Sequence, residues 1–201
     1  MRHRTARIVI GSVAAATALT LTTSWTAYAG NGATRVDAQG ALTRYPLLDG
    51  GGNDVNPVLA GATARVHAVA TPSGKTVITL HVEGLTPNRE FGSHAHTKPC
   101  GATGAAAGPH YQNAVDPVQP SVDPAYANDD NEVWLDFTTD ADGNGAAQAV
   151  VDWHFARDAA HPDGANSVII HRDETSHGEP GHPGAGVAGP RLACLTVPFA
   201  P

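Results

Sequence analysis

Hydrophobic and polar residues alternate with a period of two along the middle of the chain. Val66 and Ala68 alternate with polar neighbours, and Ile78 and Leu80 do the same in the next segment. The residues between these segments, 71–74, read Thr-Pro-Ser-Gly, which is typical of a turn. Successive side chains of a strand point to opposite faces, so this pattern predicts a β-hairpin with one buried face.

Other short segments show the same alternation or a brief apolar run. They predict strands at residues 90–96, 132–138, 148–152, 167–171 and 192–197, with one further strand around 40–45. No segment has a convincing helical period. We therefore predict an all-β protein, an antiparallel Greek-key sandwich or barrel. Two long stretches, 97–130 and 172–190, are rich in glycine and proline without a sustained period. Loops of this length are usually functional.

The N-terminus has the pattern of a secretory signal peptide. Three arginines precede an uncharged, largely apolar run at residues 8–20, and Ala-Tyr-Ala at 27–29 is a suitable cleavage site. We predict a signal peptide at 1–29, a polar lead-in at 30–58 and a single domain at 59–201. An uncleaved membrane anchor is the alternative, although the apolar run is short for a span of about 20 residues. We expect an exported protein with no membrane span after cleavage.

Charge and cysteine content narrow the possible classes. The chain has 12 basic and 19 acidic residues, a formal charge of −7. Loss of the three N-terminal arginines would leave nine basic against nineteen acidic residues, or −10. So acidic a chain is a poor candidate for binding nucleic acid. In an exported protein, Cys100 and Cys194 are expected to form one long-range disulfide, with two buried free thiols as the alternative.

Four histidines stand in segments that suit metal binding. His94 and His96 are two residues apart in a predicted strand, so both imidazoles face the same side. His110 follows Gly-Pro in the first long loop, and His171 ends an apolar strand. A His-x-His pair alone is weak evidence. The whole set is stronger because imidazole is a good ligand for copper in both oxidation states.

The order of these segments resembles the copper/zinc superoxide dismutase family. The resemblance rests on Gly-x-His-x-His at 92–96, Cys100, Gly-Pro-His-Tyr at 108–111, an apolar strand ending in His171, and Gly-x-Arg-Leu-Ala-Cys at 189–194. It covers about residues 60–198 and implies a Greek-key β-sandwich, in agreement with the alternation.

The resemblance also implies roles for single residues. His94, His96 and His171 correspond to copper ligands, and His110 corresponds to the histidine that bridges copper and zinc. Arg191 corresponds to the arginine that guides and orients superoxide.

Two further predictions concern the cysteines and two basic residues. Cys100 and Cys194 correspond to the family's intrasubunit disulfide. Lys98 and Arg172 adjoin ligands in sequence and are predicted to help steer the anionic substrate.

The part of the chain that would carry the zinc ligands departs from the family pattern. No histidine occurs between residues 111 and 153, and the expected ligand positions fall near Asp130 and Val133, with Glu132 beside them. Other carboxylates in the region are Asp116, Asp123 and Asp129. Structural zinc sites favour nitrogen and sulfur ligands, so zinc binding is doubtful. In this respect the chain resembles the family's copper-only members.

Three functions are compatible with these residues. The first is an exported, copper-dependent enzyme that disproportionates superoxide to dioxygen and hydrogen peroxide. The second is a copper-binding or copper-sequestering protein without turnover. The third is a non-catalytic β-sandwich with a residual metal site. Arg191 favours the enzyme, because a protein that only binds metal has no need of a cation beside it.

Overall fold

The structure, a computed structural model, describes residues 24–30, 32–179 and 184–199. Most regular structure in these ranges is β-strand, with one short 3₁₀ turn at Gly104–Ala107. The strands are β1 (Ser24–Gly30), β2 (Ala33–Ala41), β3 (Thr43–Arg44), β4 (Val58–Ala70), β5 (Thr76–Leu85), β6 (Glu90–Phe91), β7 (Ser93–His96), β8 (Phe137–Thr138), β9 (Gly145–Val151), β10 (Ser167–His171) and β11 (Arg191–Thr196).

Two antiparallel sheets form the body of the protein. The larger has the order β1-β2-β4-β5-β9, and the smaller has the order β3-β11-β10-β7. A short ribbon pairs β6 with β8. The predicted hairpin is present as β4 and β5, in which Val66 pairs with Leu80. The predicted antiparallel β-sandwich is confirmed.

The core lies between the two sheets and follows from the alternation in the sequence. From the larger sheet, Val66, Ile78 and Leu80 are fully buried. From the smaller sheet, Val168 and Leu192 pack into the same cluster. Burial of one such side chain stabilises the fold by about 1.5–3 kcal/mol.

The strand β10 is buried on both faces, as expected for its continuous apolar run. Its outer face carries Ile169, which packs in a second cluster with Tyr45, Ala107 and Cys194. The loop that covers this face is held by a disulfide between Cys100 and Cys194, whose Cα atoms are 5.7 Å apart. The disulfide expected from the sequence is therefore present, and it attaches the first long loop to β11.

Three predicted strands clearly differ in extent from the observed ones. The strand expected at 90–96 is split into β6 and β7, which belong to different sheets. The strand expected at 40–45 is instead β2 and β3, which belong to different sheets. The strand expected over 132–138 is confined to Phe137–Thr138. Earlier residues make isolated bridges to two separate partners, Glu132 to Gln112 and Trp134 to His94. Because the partners differ, no continuous ladder forms there.

The N-terminal predictions are only partly within the described structure. Residues 1–23 lie outside it, and the predicted cleavage point falls within β1, which pairs with β2. The segment 30–58 contributes β2 and β3 to the two sheets. The division into signal peptide, lead-in and domain stays a prediction. Among the described residues, the structure has no helix with the length and apolar character needed to cross a bilayer.

Replacing both Cys100 and Cys194 by serine should destabilise the metal-free protein. The disulfide joins residues 94 positions apart, and a loop of that length reduces the entropy of the unfolded chain by an amount worth about 4–5 kcal/mol. Urea unfolding of the oxidised wild type and the double variant measures the difference. A loss below about 1 kcal/mol would contradict this role.

Candidate metal centre

The strand β7 places two histidines on the outer face of the smaller sheet. Ala95 points inward to the core, so His94 and His96 on either side of it point outward. Both histidines are nevertheless fully buried, because the loops cover this face. The strand pairing places Ile169 of β10 opposite His94.

The strands β10 and β11 supply His171 and Arg191. The two residues are directly opposite each other, after a register shift between Ile170 and His171. The shift ends the regular ladder at the edge of the outer loops. It therefore brings a nearly buried imidazole and a guanidinium to the same end of the sheet.

The first long loop brings His110 to the other side of β7. Residues 109–111 run beside that strand: Thr97 N–H donates to the carbonyl of Pro109 at 3.1 Å, and Tyr111 N–H donates to the carbonyl of Ala95 at 2.9 Å. His96 and His110 form an isolated antiparallel bridge. The fixed φ of Pro109 helps to hold this irregular segment in place.

The structure brings all four predicted histidines together. One ring nitrogen from each of His94, His96, His110 and His171 lies within 4.8 Å of the others. The ring centroids of His94 and His110 are 4.1 Å apart, and those of His94 and His171 are 4.9 Å apart. This spacing suits four ligands arranged around a single ion.

The second ring nitrogen of three histidines is anchored to an acceptor. His96 Nδ1 donates to the carbonyl of Gly108 at 3.0 Å, and His171 Nδ1 donates to the carbonyl of Gly189 at 3.2 Å. His110 Nδ1 lies 2.8 Å from a carboxylate oxygen of Glu132, which can only accept. Each of these rings therefore keeps Nε2 free as a ligand atom.

His94 is anchored the other way round. Its Nε2 contacts the hydroxyl of Thr175 at 2.7 Å, while its buried Nδ1 has no hydrogen-bond partner within the described part of the chain. An unpartnered buried nitrogen is costly unless something binds it. In addition, the Nε2 atoms of His96 and His171 face each other at 3.4 Å. Four nitrogens directed at one point fit a metal ion, and an all-imidazole set suits copper.

Burial keeps the imidazoles of His94, His96 and His171 neutral. Desolvation, followed by the electrostatic interaction with His110, lowers the pKa of His94 and of His96 well below the usual value. The same causes lower the pKa of His171 to about 3. A metal ligand must present a lone pair, so neutral rings are the form that binds.

The centre opens to a cavity of about 300 Å³ between the two long loops. His110, His171 and Arg191 line it, and residues 119–122 and 186–189 form its walls. The Nη1 atom of Arg191 donates to the carbonyl of Gly104 at 2.8 Å, which fixes the guanidinium. Burial lowers the pKa of Arg191, yet arginine stays charged in proteins.

The two residues predicted to steer the substrate are each close to a carboxylate. Lys98 Nζ is 3.7 Å from Asp163, and Arg172 donates two hydrogen bonds of 2.8 Å to Asp173. The pairing with Asp173 raises the pKa of Arg172. Steering by these residues stays a prediction, and the neighbouring carboxylates offset part of their charge.

Glu132 lies in the segment in which the family's zinc ligands would be expected. It is buried, and besides His110 it accepts hydrogen bonds of 2.8 Å from Gln112 and from the indole N–H of Trp134. Asp116 is also buried and accepts from Ser121 at 2.6 Å. Among the described residues, the histidine cluster includes no carboxylate.

Sequence reasoning missed two residues that support the centre. Thr175 holds His94, and Asp136 holds Thr175. Neither stands in a recognisable motif, because the contacts join a loop to a distant strand.

Fold and site together define an antiparallel β-sandwich with a cluster of four histidines, able to hold a metal ion, beneath two long loops. The model of the family described as "Copper/zinc superoxide dismutase (SODC)" matches residues 61–197. The chain belongs to this family. The match includes all four histidines, both cysteines and Arg191.

One solved structure supports the fold, and a second is reported for comparison only. A double mutant of a SOD-like protein from Bacillus subtilis has 16% identity and a TM-score of 0.50, and the alignment covers 79% of this chain and 95% of that one. The clock protein EA4 has 19% identity and a TM-score of 0.49, with 74% and 98% covered. No curated protein matches the sequence.

The stability of the metal-free protein should fall as the pH is lowered from about 6.5. Unfolded histidine titrates near 6.5, whereas His94, His96 and His171 titrate far lower in the fold. Between these values only the unfolded chain binds the protons, which costs about 1.4 kcal/mol per pH unit for each histidine. Above pH 6.5 these three histidines should make no contribution to the pH dependence of the stability.

Urea unfolding between pH 7.5 and 5 measures this slope while most carboxylates remain ionised. The variant His171→Gln should reduce the slope by about one proton. A metal-free stability that is constant over this range would show that the histidines are not buried as neutral rings.

Proposed function

We propose that the chain is an exported, copper-dependent superoxide dismutase. The observation that carries the proposal is the convergence of four imidazole nitrogens within 4.8 Å beside a cavity that also contains Arg191. Membership of the copper/zinc superoxide dismutase family supports the same reaction. The disulfide and the signal-like N-terminus support export.

The net reaction takes two superoxide anions and two protons to one dioxygen and one hydrogen peroxide. Bound copper would supply the one-electron couple that this disproportionation needs. His94 through Nδ1, and His96, His110 and His171 through Nε2, are the residues that would hold it. Imidazole stabilises both oxidation states, so no ligand needs to be exchanged for a different type.

Arg191 provides the binding site for the anion. Its guanidinium is fixed by the carbonyl of Gly104 and lines the same cavity as His171. Because it is paired with a carbonyl and not with a carboxylate, its positive charge stays available to a small anion. The cavity of about 300 Å³ between the two loops has room for a small anion such as superoxide beside this guanidinium.

The alternative is a copper-binding protein of the same fold without turnover. Both functions predict copper binding by the same histidines, so metal content alone does not distinguish them. Arg191 does, because it lines the cavity yet contributes no ligand atom to the cluster.

Wild-type protein loaded with Cu(II) should contain one copper per chain and should disproportionate superoxide. The variant Arg191→Ala should lose about 10- to 100-fold in kcat/KM, since it loses a charge that binds and orients the substrate. Its copper affinity should be unchanged. Stopped-flow superoxide decay and competitive copper titration measure the two quantities.

The exposed Arg65, on the outer face of β4, supplies the matched control: Arg65→Ala should leave both quantities unchanged. Absence of dismutation in the copper-loaded wild type would eliminate the enzyme and leave the copper-binding alternative. Equal turnover in Arg191→Ala and wild type would remove Arg191 from the mechanism.

We also propose that the centre works without zinc. The nitrogen of His110 that a bridging role would use for zinc is bound to Glu132. Gln112 and Trp134 fill further acceptor positions of that carboxylate. The surrounding loop is thus held by protein hydrogen bonds at the place where other family members would use an ion.

Adding zinc to the copper-loaded protein should therefore give no second stoichiometric ion and no rise in Tm. Metal analysis after dialysis and differential scanning calorimetry test this. One tight zinc per chain in the wild type, lost in both Glu132→Gln and Asp116→Asn, would instead place a zinc site in this loop.

A further inference from the structure

His161 lies outside the histidine cluster, in the loop between β9 and β10, and both of its ring nitrogens face hydrogen-bond acceptors. Nδ1 is 2.9 Å from a carboxylate oxygen of Asp158. Nε2 is 3.0 Å from the carbonyl oxygen of Gln112 and 3.1 Å from that of Asn113. The side chain is only 10% exposed, so water has little access to replace these partners.

These three acceptors determine the protonation state of the ring. Carbonyl and carboxylate oxygens only accept hydrogen bonds, so each ring nitrogen must carry a hydrogen to make its contact. A neutral imidazole carries one such hydrogen, and an imidazolium carries two. The hydrogen bond from His161 lowers the pKa of Asp158, so that carboxyl stays ionised and cannot donate in return. The contacts therefore require an imidazolium beside a carboxylate.

The loop around Asp158 holds the histidine ring in this position. The same carboxylate oxygen accepts from the backbone N–H groups of Ala160 and His161, both at 2.9 Å. The backbone N–H of Gly164 donates to the carbonyl of His161 at 3.0 Å, which closes the turn. The ring then stacks on Tyr111, with centroids 5.1 Å apart and planes inclined by 25°. A carboxylate and an aromatic face both stabilise a cation.

The acceptors of Nε2 belong to the first long loop and come shortly after His110. The side chain of Gln112 donates to Glu132 at 2.8 Å, and Glu132 in turn binds His110 Nδ1 at 2.8 Å. His110, Gln112 and His161 also line a common cavity of about 210 Å³. A contact that fixes the backbone of Gln112 therefore limits the movement of the segment that carries His110.

We infer that His161 is an imidazolium that joins the first long loop to the β9–β10 loop and thereby positions His110. It contributes no nitrogen to the histidine cluster, so it is a positioning residue and not a ligand. The inference rests on the proposed metal centre for the role of His110, but not on dismutase activity.

The titratable groups that line the cavity around the ring come from three elements. Tyr111 and His110 come from the first long loop, Lys98 from the segment after β7, and Asp163 from the β9–β10 loop. Lys98 and Asp163 are 3.7 Å apart, so their charges largely offset each other. Asp158 is the carboxylate in direct contact with the ring, and it makes the balance of charge favour a cation there.

The first test needs no metal. At pH 7.5 a histidine in water is about nine-tenths neutral, whereas both ring nitrogens of His161 should carry hydrogens. Nitrogen-15 NMR of the histidine rings distinguishes an imidazolium from the two neutral tautomers. His96 and His171, which burial keeps neutral, provide the comparison in the same spectrum. A neutral His161 at this pH would overturn the inference.

The variant Asp158→Asn separates the charge from the position of the ring. An amide can donate to Nδ1, so His161 should become neutral at pH 7.5 and keep its hydrogen on Nε2. Its contact with the first long loop should survive. Because Asp158 is exposed, the variant is expected to fold. An unchanged imidazolium in this variant would overturn the ion pair on which the inference depends.

The second test removes the hydrogen bonds and keeps the stacking. His161→Phe presents a flat ring to Tyr111 but leaves two carbonyls of the first long loop unpaired. The backbone amides of residues 112–116 should exchange with solvent at least about tenfold faster, while those of β10 should not change. Affinity for Cu(II) should fall about tenfold, at the lower end of the effect of outer contacts that orient a ligand. His81→Phe, at an exposed position of β5, is the matched control and should change neither quantity.

The pH profile is a readout that a merely structural role would not change. On titration to alkaline pH, Nδ1 should keep its hydrogen against the carboxylate, so Nε2 should lose its own and release the loop. The carbonyl carbon-13 shift of Gln112 and the exchange of the loop amides should change in the same pH step as the ring nitrogens. That step should be absent from His161→Phe. A loop that does not respond when the ring loses its proton would contradict the inference.

The outcomes separate this inference from the proposed function. Equal loop exchange and equal copper affinity in His161→Phe and the wild type would overturn the positioning of His110, whatever the change in metal-free Tm. If the phenylalanine variant does not fold, the wild-type pH profile and Asp158→Asn still decide. A wild type with an imidazolium at His161 that binds copper without turning over superoxide would refute the proposed function alone. An active enzyme with a neutral His161 would refute this inference alone.

Discussion

The whole centre depends on how its four imidazoles are anchored beneath the loops. Removing His94, His96 and His171 from water lowers their pKa values, and each of the four rings has one nitrogen that must find a protein partner. Two partners are backbone carbonyls, of Gly108 and Gly189, and two are side chains, Glu132 and Thr175. These four contacts decide which nitrogen of each ring faces the common centre. These contacts also constrain the path of the loops, because each loop has to bring its partner group next to the histidine.

The β-sandwich is the rigid scaffold that supports this arrangement. Strand β10 is buried on both faces: one packs into the main core, and the other carries Ile169 beneath the first long loop. The Cys100–Cys194 disulfide attaches this loop to β11, so the carbonyl of Gly104 can hold Arg191. The disulfide therefore contributes both to the stability of the fold and to the geometry of the site. The loop cannot open without releasing the guanidinium of Arg191.

The sequence was most informative where chemistry repeats at a fixed spacing. Alternation predicted the β4–β5 hairpin, and the two-residue spacing of His94 and His96 predicted a shared face, because both depend on the local geometry of a strand. The partners Thr175 and Asp136 could not be predicted. They meet His94 across 81 and 42 positions of chain, and loops of irregular backbone bring them there. Glu132 was named only as a neighbour of an expected ligand position, and its contact with His110 depends on the same loop path.

The electrostatic field in the cavity depends on which nearby basic residues are paired with carboxylates, and not on the net charge of the chain. The chain is acidic overall, with a formal charge of −7. Lys98 and Arg172 are exposed and close to Asp163 and Asp173, and such surface pairs contribute little net field.

Arg191 is bound to a carbonyl instead, and burial reduces the screening of its charge by water. An anion that enters the cavity therefore meets one unneutralised cation next to His171. An acidic protein can select a small anionic substrate in this way because the field that matters is the field inside the cavity.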